Sequence, residues 1–490
     1  MNSTMKSFQA VAVAALTCAS AQAFSLNSPP AAWMTVDMGY LKDGDFGGVT
    51  TPGEAYRMNQ PAVVYGFDQS FVEFFGQEGI NAVDSAMKIF NDLPAASVLD
   101  PATFPTSTAR INHTARRLRL VDLKSMALAN VITQMGLTSP ERFVWTLRQV
   151  NRPTDVIRNF LTVRRNFDPF TVLPSSFVNE TLYTYQIVLI GGDQWEAQEI
   201  SLDPAEPNIS VAGYSIAGLI DERAARLSYS RGLFFSGLTR DDVGGLRYLY
   251  HPGTVAVELL PSGTTLKTTQ TVTEIGSGGG ASQGSWTPYY GVGVAAGGGT
   301  TNAAGAVNAA VRRGVDKVQF IRGDVGNPVL ANFTRPVVVR YTDSYSTNGV
   351  FGAFKTQSVE RTLNRPDIIF AADDLGNTPD GLPVPHIVRR LISGMVNLSA
   401  LNTTPGSTLG TITDRMGPGI VDVGGAPLVI SFARLGLAEL NSTRIDNLTE
   451  EEGFTSYMWG SYDGSTNAPI VYPVGRANLR MVESIVRSGN

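Results

Sequence analysis

The sequence predicts a mixed α+β protein, helix-bearing in its first half and β-rich, sandwich-like, in its second. Three observations carry that reading. Apolar residues recur at helical spacing only before residue 253. Beyond residue 315 the apolar runs are short and separated by turn pairs such as Asn348-Gly349 and Asp463-Gly464. Between the two regions, residues 276–314 are dominated by Gly, Ala, Ser and Thr. A chain of 490 residues suits two or three domains. These shifts divide it into a leader at 1–23, an α+β domain at 24–253, a Gly/Ala/Thr-rich linker or long loop at 254–314 and a β-rich domain at 315–490.

The leader has the layout of a secretory signal: Lys6 as the positive start, an apolar stretch from Ala10 to Leu16, and Ala21-Gln22-Ala23 as a small-x-small cleavage site. Cys18, the single cysteine, lies within it. The mature chain is therefore expected to be cysteine-free, with no disulfide, thiolate metal site or cysteine nucleophile. No other run approaches the roughly 18–20 apolar residues of a membrane helix, so no transmembrane segment is expected. The expected location is secreted, in the extracellular space or on the cell surface. Eight Asn-x-Ser/Thr sequons follow the leader, at Asn112, Asn179, Asn208, Asn332, Asn397, Asn402, Asn441 and Asn447; they matter only in a host that glycosylates.

In chain order, Ala62–Phe67 is a short apolar run with strand character. Gly79–Leu93 reads as a helix, with Ile80, Val83, Met87, Phe90 and Leu93 on one face and Pro94 as its stop. Val121–Met135 is a second helix, ended by Gly136. Strands are expected over Arg142–Val150 and Leu182–Ile190. A third helix, Arg240–Leu249, has Thr239 as N-cap and Asp241 and Asp242 in its first turn. The later strands are expected at Pro336–Tyr345, Val350–Leu363, Asp367–Ala371, Ala426–Phe432 and Ile470–Tyr472.

The composition narrows the function classes. Charged residues make up 17% of the chain and the formal charge is −5, so no basic field marks a nucleic-acid partner. Gly291-Val-Gly293-Val-Ala-Ala-Gly297 has its third glycine out of register for a dinucleotide fingerprint and lies in low-complexity sequence. The three histidines, His113, His251 and His386, are far apart, and none has a ligand partner at helical spacing. Asp373-Asp374, the trio Asp193, Glu196 and Glu199, and Glu450-Glu451-Glu452 are the carboxylate groupings open to hydrolytic chemistry. Arg110, Arg116, Arg117 and Arg119, near Lys124, form the one dense basic patch, an anion- or partner-binding candidate or a solvated face. Trp286, Tyr289, Tyr290, Trp459 and Tyr462 are aromatics able to stack on sugars.

One stretch carries a family resemblance. Leu238-Thr239-Arg240-Asp241-Asp242-Val243-Gly244-Gly245-Leu246-Arg247-Tyr248-Leu249-Tyr250 is similar to the closing helix of matrixin-type metallopeptidases, and the helix at 82–93 sits where such a domain has its first helix. The resemblance implies a zincin-like α+β domain over at most the first half of the chain. Those enzymes bind zinc through H-E-x-x-H-x-x-G-x-x-H, and no histidine lies between Ala212 and Leu238. The nearest alignment sets Asp221-Glu222 at the His-Glu pair and Ala225 at the second His, leaving Glu222 as a weak catalytic candidate. Asp221, Asp241 and Asp242 are then the weak metal candidates. More loosely, Arg335–Leu375 and Phe454–Pro473 resemble parts of large exported bacterial proteins without an assigned activity.

The resulting expectation is a secreted, non-catalytic structural or interaction protein with a degenerate matrixin-like domain, without cofactor. Its partner is an extracellular or surface protein or glycan, or a further copy of itself. The alternative is an extracellular hydrolase, either a metallopeptidase with unusual ligands or a carboxylate-dependent glycosidase.

Overall fold

In the computed structural model the described residues are 23–28, 33–35, 38, 47–48, 55–151, 158–202, 216, 232–261, 263–266, 306–307, 309–327, 332–346, 353–373, 386–389, 427–433 and 458–474. A five-stranded sheet runs through the centre in the order Gln319–Arg322, Ala62–Phe67, Ile368–Asp373, Leu428–Ala433, His386–Arg389. The first four strands are parallel and the last is antiparallel. Every residue of Ala62–Phe67 is buried, as are Ile368 to Ala372. Both faces of the sheet are covered, which explains why these strands read as continuous apolar runs instead of alternating ones.

Helix α1, Gln69–Asp92, follows the strand Ala62–Phe67 after the N-cap Asp68, whose Oδ1 accepts from the Phe71 amide at 2.9 Å. It begins ten residues before the expected Gly79 start, because Phe71, Phe74 and Phe75 carry its apolar face backwards. Gly76, at φ +62°, breaks it in two, a conformation glycine adopts without a Cβ clash. The rings of Phe71 and Phe75 pack against Phe370, Phe432, Trp459 and Tyr472, with centroids 5.1–6.4 Å apart. Those partners come from residues 370–472, so one aromatic core spans both halves of the chain.

Helix α2, Leu123–Gln134, is buried on nearly all sides, and its N-cap is Asp122. Helix α3, Arg240–Tyr250, has the expected bounds to within one residue. Thr239 and Asp242 close a capping box: the Thr239 side chain accepts from the Asp242 amide and the Asp242 carboxylate from the Thr239 amide. The expected strand over Arg142–Val150 instead begins at Thr146, because Ser139 caps a turn of helix at Pro140–Phe143. Thr181–Gly191 pairs with Gln194–Leu202 as a long hairpin across Gly192-Asp193.

A second five-stranded sheet is antiparallel throughout, in the order Val255–Leu259, Ala309–Arg313, Val337–Ser346, Lys355–Leu363, Thr264–Leu266. Three of these strands fall in the expected linker at 254–314. Its composition concealed them, because short strands held by long-range partners need little apolar signal of their own. The expected boundary at Gly253 is also crossed by the central sheet, where Ala62–Phe67 lies hydrogen-bonded between Gln319–Arg322 and Ile368–Asp373. The Asn348-Gly349 turn lies outside the described residues.

Buried polar groups reinforce this joint. Arg57 and Glu258, 1% and 0% exposed, pair at 2.5 Å, and Asn59 donates to the second Glu258 oxygen at 2.6 Å. Arg57 also donates to the carbonyls of Leu249 and Arg312, and Arg312 pairs with Asp343 at 3.0 Å. Burial pushes the Glu258 carboxyl up, while the Arg57 guanidinium pulls it back. Asp367 bonds both Arg361 (2.6 Å) and the Val64 amide (2.9 Å), tying the end of one half to the first central strand of the other. Removing one member of such a buried pair leaves the other without its compensating charge.

Candidate functional site

Several elements converge on the turn that follows α2. Gly136 lies at φ +117°, and a Cβ there would meet the Tyr56 carbonyl oxygen at 2.2 Å and Leu249 Cδ1 at 2.9 Å. Only glycine satisfies both the backbone angle and the space. The strand Phe24–Ser28 runs alongside: the Asn27 amide donates to the Gly136 carbonyl at 2.7 Å, and Leu26 pairs with Leu137. From the other side, Tyr250 Oη on α3 donates to the Met135 carbonyl at 2.7 Å and accepts from the Met58 amide. Burial raises the Tyr250 phenol far out of its usual range, so it stays protonated as that donor.

Along α2 toward this turn, Ala129 and Thr133 are four residues apart and share a face. Thr133 Oγ1 donates back to the Ala129 carbonyl at 3.0 Å. Asn130, fully buried, donates to the Met126 carbonyl at 2.8 Å, and its Oδ1 has no hydrogen-bond partner. Beyond the glycine, Ser139 Oγ donates to Glu141 Oε2 at 3.0 Å and accepts from the Arg142 amide. The spacing Ala129, Asn130, Thr133, Gly136, Ser139 is that of H-E-x-x-H-x-x-G-x-x-H. This segment carries no motif signal in the sequence, because four of the five positions differ and only the glycine is shared. The available signal was the glycine itself, placed seven residues after Ala129 and three before Ser139.

Zinc does not fit this set. Ala129, Thr133 and Ser139 offer a methyl and two hydroxyls, and Asn130 a neutral amide. Zinc is bound by imidazole, thiolate or carboxylate groups, and none stands at these positions.

The expected site residues fall as follows. Asp221, Glu222 and Ala225 lie outside the described residues. Asp241 and Asp242, proposed as metal ligands, are 0% and 1% exposed and are engaged by backbone amides. Asp241 Oδ2 accepts from Ala23 and Asn179, and Asp242 Oδ2 from Ile216 and Thr239. They bind the chain to itself, because a carboxylate in the first turn of a helix collects nearby amides. Among the described residues no group of three or more His, Cys, Asp or Glu has the arrangement of a metal site. Arg110, Arg116 and Arg117 are exposed on a strand at Ala109–Ile111 and a helical turn at His113–Arg117, while Arg119 is half-buried.

Trp459 and Tyr462 are 1% and 9% exposed and belong to the interior, with Tyr462 Oη donating to the Leu120 and Leu233 carbonyls. That removes both from the sugar-stacking set; the other three aromatics lie outside the described residues. Glu196 and Glu199 stand in the hairpin strand, opposite Val188 and Tyr185. Two sequons are structural: Asn112 is fully buried and donates to the carbonyls of Asp463, Gly464 and Asn467, and Asn179 donates to Thr239. No helix among the described residues is long and apolar enough to cross a membrane.

No family model, curated protein or solved structure matches the chain.

Proposed function

We propose that this is an exported, non-catalytic protein of the cell surface or extracellular space, built on a zincin-like α+β core whose metal site has been replaced by packing. The observation that carries the reading is the α2 turn. A helix ending in an obligatory glycine, held against α3, keeps the spacing of a zinc-binding segment, while its ligand and base positions hold Ala129, Thr133, Ser139 and Asn130. Of that pattern the segment keeps Gly136 alone, so the family resemblance itself rests on the Leu238–Tyr250 stretch. With no imidazole, thiolate or carboxylate at these positions, the segment offers zinc no ligand through which to activate water, which supports a scaffold role for the core.

The surface supplies interaction features. The hairpin arm Thr181–Leu202 exposes Leu189 and Ile190, each about half accessible, beside its Gly192-Asp193 turn. The exposed Arg110, Arg116 and Arg117 suit an acidic partner. Metal content of residues 24–490 by mass spectrometry, with a peptide-library digest, tests the reading. We expect no stoichiometric transition metal and no cleavage; one zinc per chain would overturn it. A protein that stays strictly monomeric at high concentration and binds no surface extract would count against the interaction role.

A further inference from the structure

The hairpin arm presents an open strand edge. Thr181–Gly191 is hydrogen-bonded along one side to Gln194–Leu202. On its other side the short strand Phe177–Val178 covers only its first residues. The Tyr183 amide donates to the Ser176 carbonyl at 2.8 Å, and the Trp145 indole Nε1 donates to the Tyr183 carbonyl at 3.1 Å. Backbone groups two residues apart face the same side of a strand, so the amides and carbonyls of Tyr185, Ile187 and Leu189 continue this edge. Among the described residues these backbone groups meet no hydrogen-bond partner. Beyond Leu189 the register slips and the chain turns at Gly192.

Exposed edges are commonly blunted by lysine, proline or an inward charge. This strand, Thr-Leu-Tyr-Thr-Tyr-Gln-Ile-Val-Leu-Ile-Gly, carries no charge and no proline, and it is rich in the β-branched and aromatic residues that favour strands. The acids of the arm, Glu196 and Glu199, stand on the other strand. The open positions are symmetric about Ile187: Tyr183 is already spent before the first, and the slip follows the last. An antiparallel copy of the same edge matches all of them only with Ile187 opposite Ile187.

Resting on the interaction role proposed above, and naming its partner, we propose that this edge binds a second copy of the chain, antiparallel and centred on Ile187. Tyr185 of each copy then stands opposite Leu189 of the other, and each opposed pair exchanges both N–H···O bonds. Tyr185 and Leu189 are 36% and 53% exposed, and an aromatic ring against an aliphatic chain is a favourable cross-strand pair. The joined sheet keeps the two acid-bearing strands outermost, about 14 Å apart at three strand spacings. That exceeds the screening length of about 8 Å at physiological salt. Pairing consumes the same edge on both copies, so the assembly closes as a two-fold dimer instead of growing.

Sedimentation velocity of the protein from about 1 to about 100 µM reads the assembly. We expect a reversible monomer–dimer equilibrium; a monomer at every concentration, or a ladder of larger species, would overturn the proposal. Hydrogen exchange resolved to single amides needs no variant. Tyr185, Ile187 and Leu189 should slow roughly tenfold or more in the dimer, while Gln186 and Val188, already bonded within the hairpin, should not change. Slowing of none, or of all alike, would overturn edge pairing. Ile187→Lys and Ile187→Glu each set like charges face to face, so each alone should be monomeric and an equal mixture should return to dimer. Protection of Gln186 and Val188 in both variants shows that the hairpin is intact, and a mixture that then stays monomeric would overturn the register. If the protein alone is monomeric and the three amides slow only when a surface extract is added, the dimer is refuted while the functional reading stands.

Discussion

Replacing Asp122 with Asn isolates one buried charge. Asp122 caps α2, is 3% exposed, and accepts from the Ser125 amide at 2.8 Å and the Ser125 hydroxyl at 2.6 Å through Oδ2. Burial pushes its pKa from 3.8 to about 6, against the opposing pull of the Ser125 hydrogen bonds and Lys124. The folded state therefore holds this proton more tightly than the unfolded chain does. Between about pH 4 and 6 the native state binds more protons, so stability falls as pH rises through that window and is level above it. At 1.36 kcal/mol per pH unit of pKa difference, the ionised group costs about 3 kcal/mol at neutral pH. Asn keeps an acceptor for Ser125 and carries no charge. Urea unfolding of both proteins between pH 4 and 8, followed by tryptophan fluorescence with the buried Trp459 as reporter, reads the difference. Asp122→Asn should match the wild type near pH 4 and exceed it by about 2–3 kcal/mol at pH 8. A difference that does not change with pH, or that favours the wild type as pH rises, would refute the argument.

Other outcomes follow from single contacts. Gly136→Ala forces a methyl to 2.2 Å from the Tyr56 carbonyl at φ +117° and should cost about 2 kcal/mol or more; thermal unfolding within 0.5 kcal/mol of wild type would contradict the close approach. Arg57→Met removes the guanidinium partner of the buried Glu258 carboxyl and should cost about 3–5 kcal/mol, whereas Arg57→Met with Glu258→Leu should recover most of the loss. Asn112→Ala removes three hydrogen bonds to the 463–467 loop. That loop should become the first site of limited proteolysis, while an unchanged digest would show the latch to be dispensable. Expressed in a glycosylating host, the protein should carry no glycan at Asn112, which glycopeptide mass analysis checks directly.

Much of the local structure was legible in the chain. The Thr239 cap, the two aspartates after it and the apolar spacing beyond located α3 to within a residue, because capping and helical faces depend on neighbours three and four positions away. The run Ala62–Phe67 read as a strand from its short continuous apolar stretch. The candidate site was half legible: Gly136 marked the end of α2, but its obligatory role needs Tyr56 and Leu249 beside it. Asp241 and Asp242 read as first-turn acids and weak metal candidates, and only the fold brings Ala23, Asn179 and Ile216 to them.

Strand pairing and burial belonged to the tertiary structure alone. Nothing in the pattern of Gln319–Arg322 or Ile368–Asp373 says that each lies beside Ala62–Phe67, some 250 and 300 residues earlier in the chain. Parallel partners are chosen by the whole core, whose packing closes over both halves at once. The same holds for Trp459, a loop aromatic by its glycine neighbours and a core residue by the company of Phe75 and Phe432. Short-range rules set each residue's backbone; which side chains lose contact with water is decided by segments hundreds of residues away.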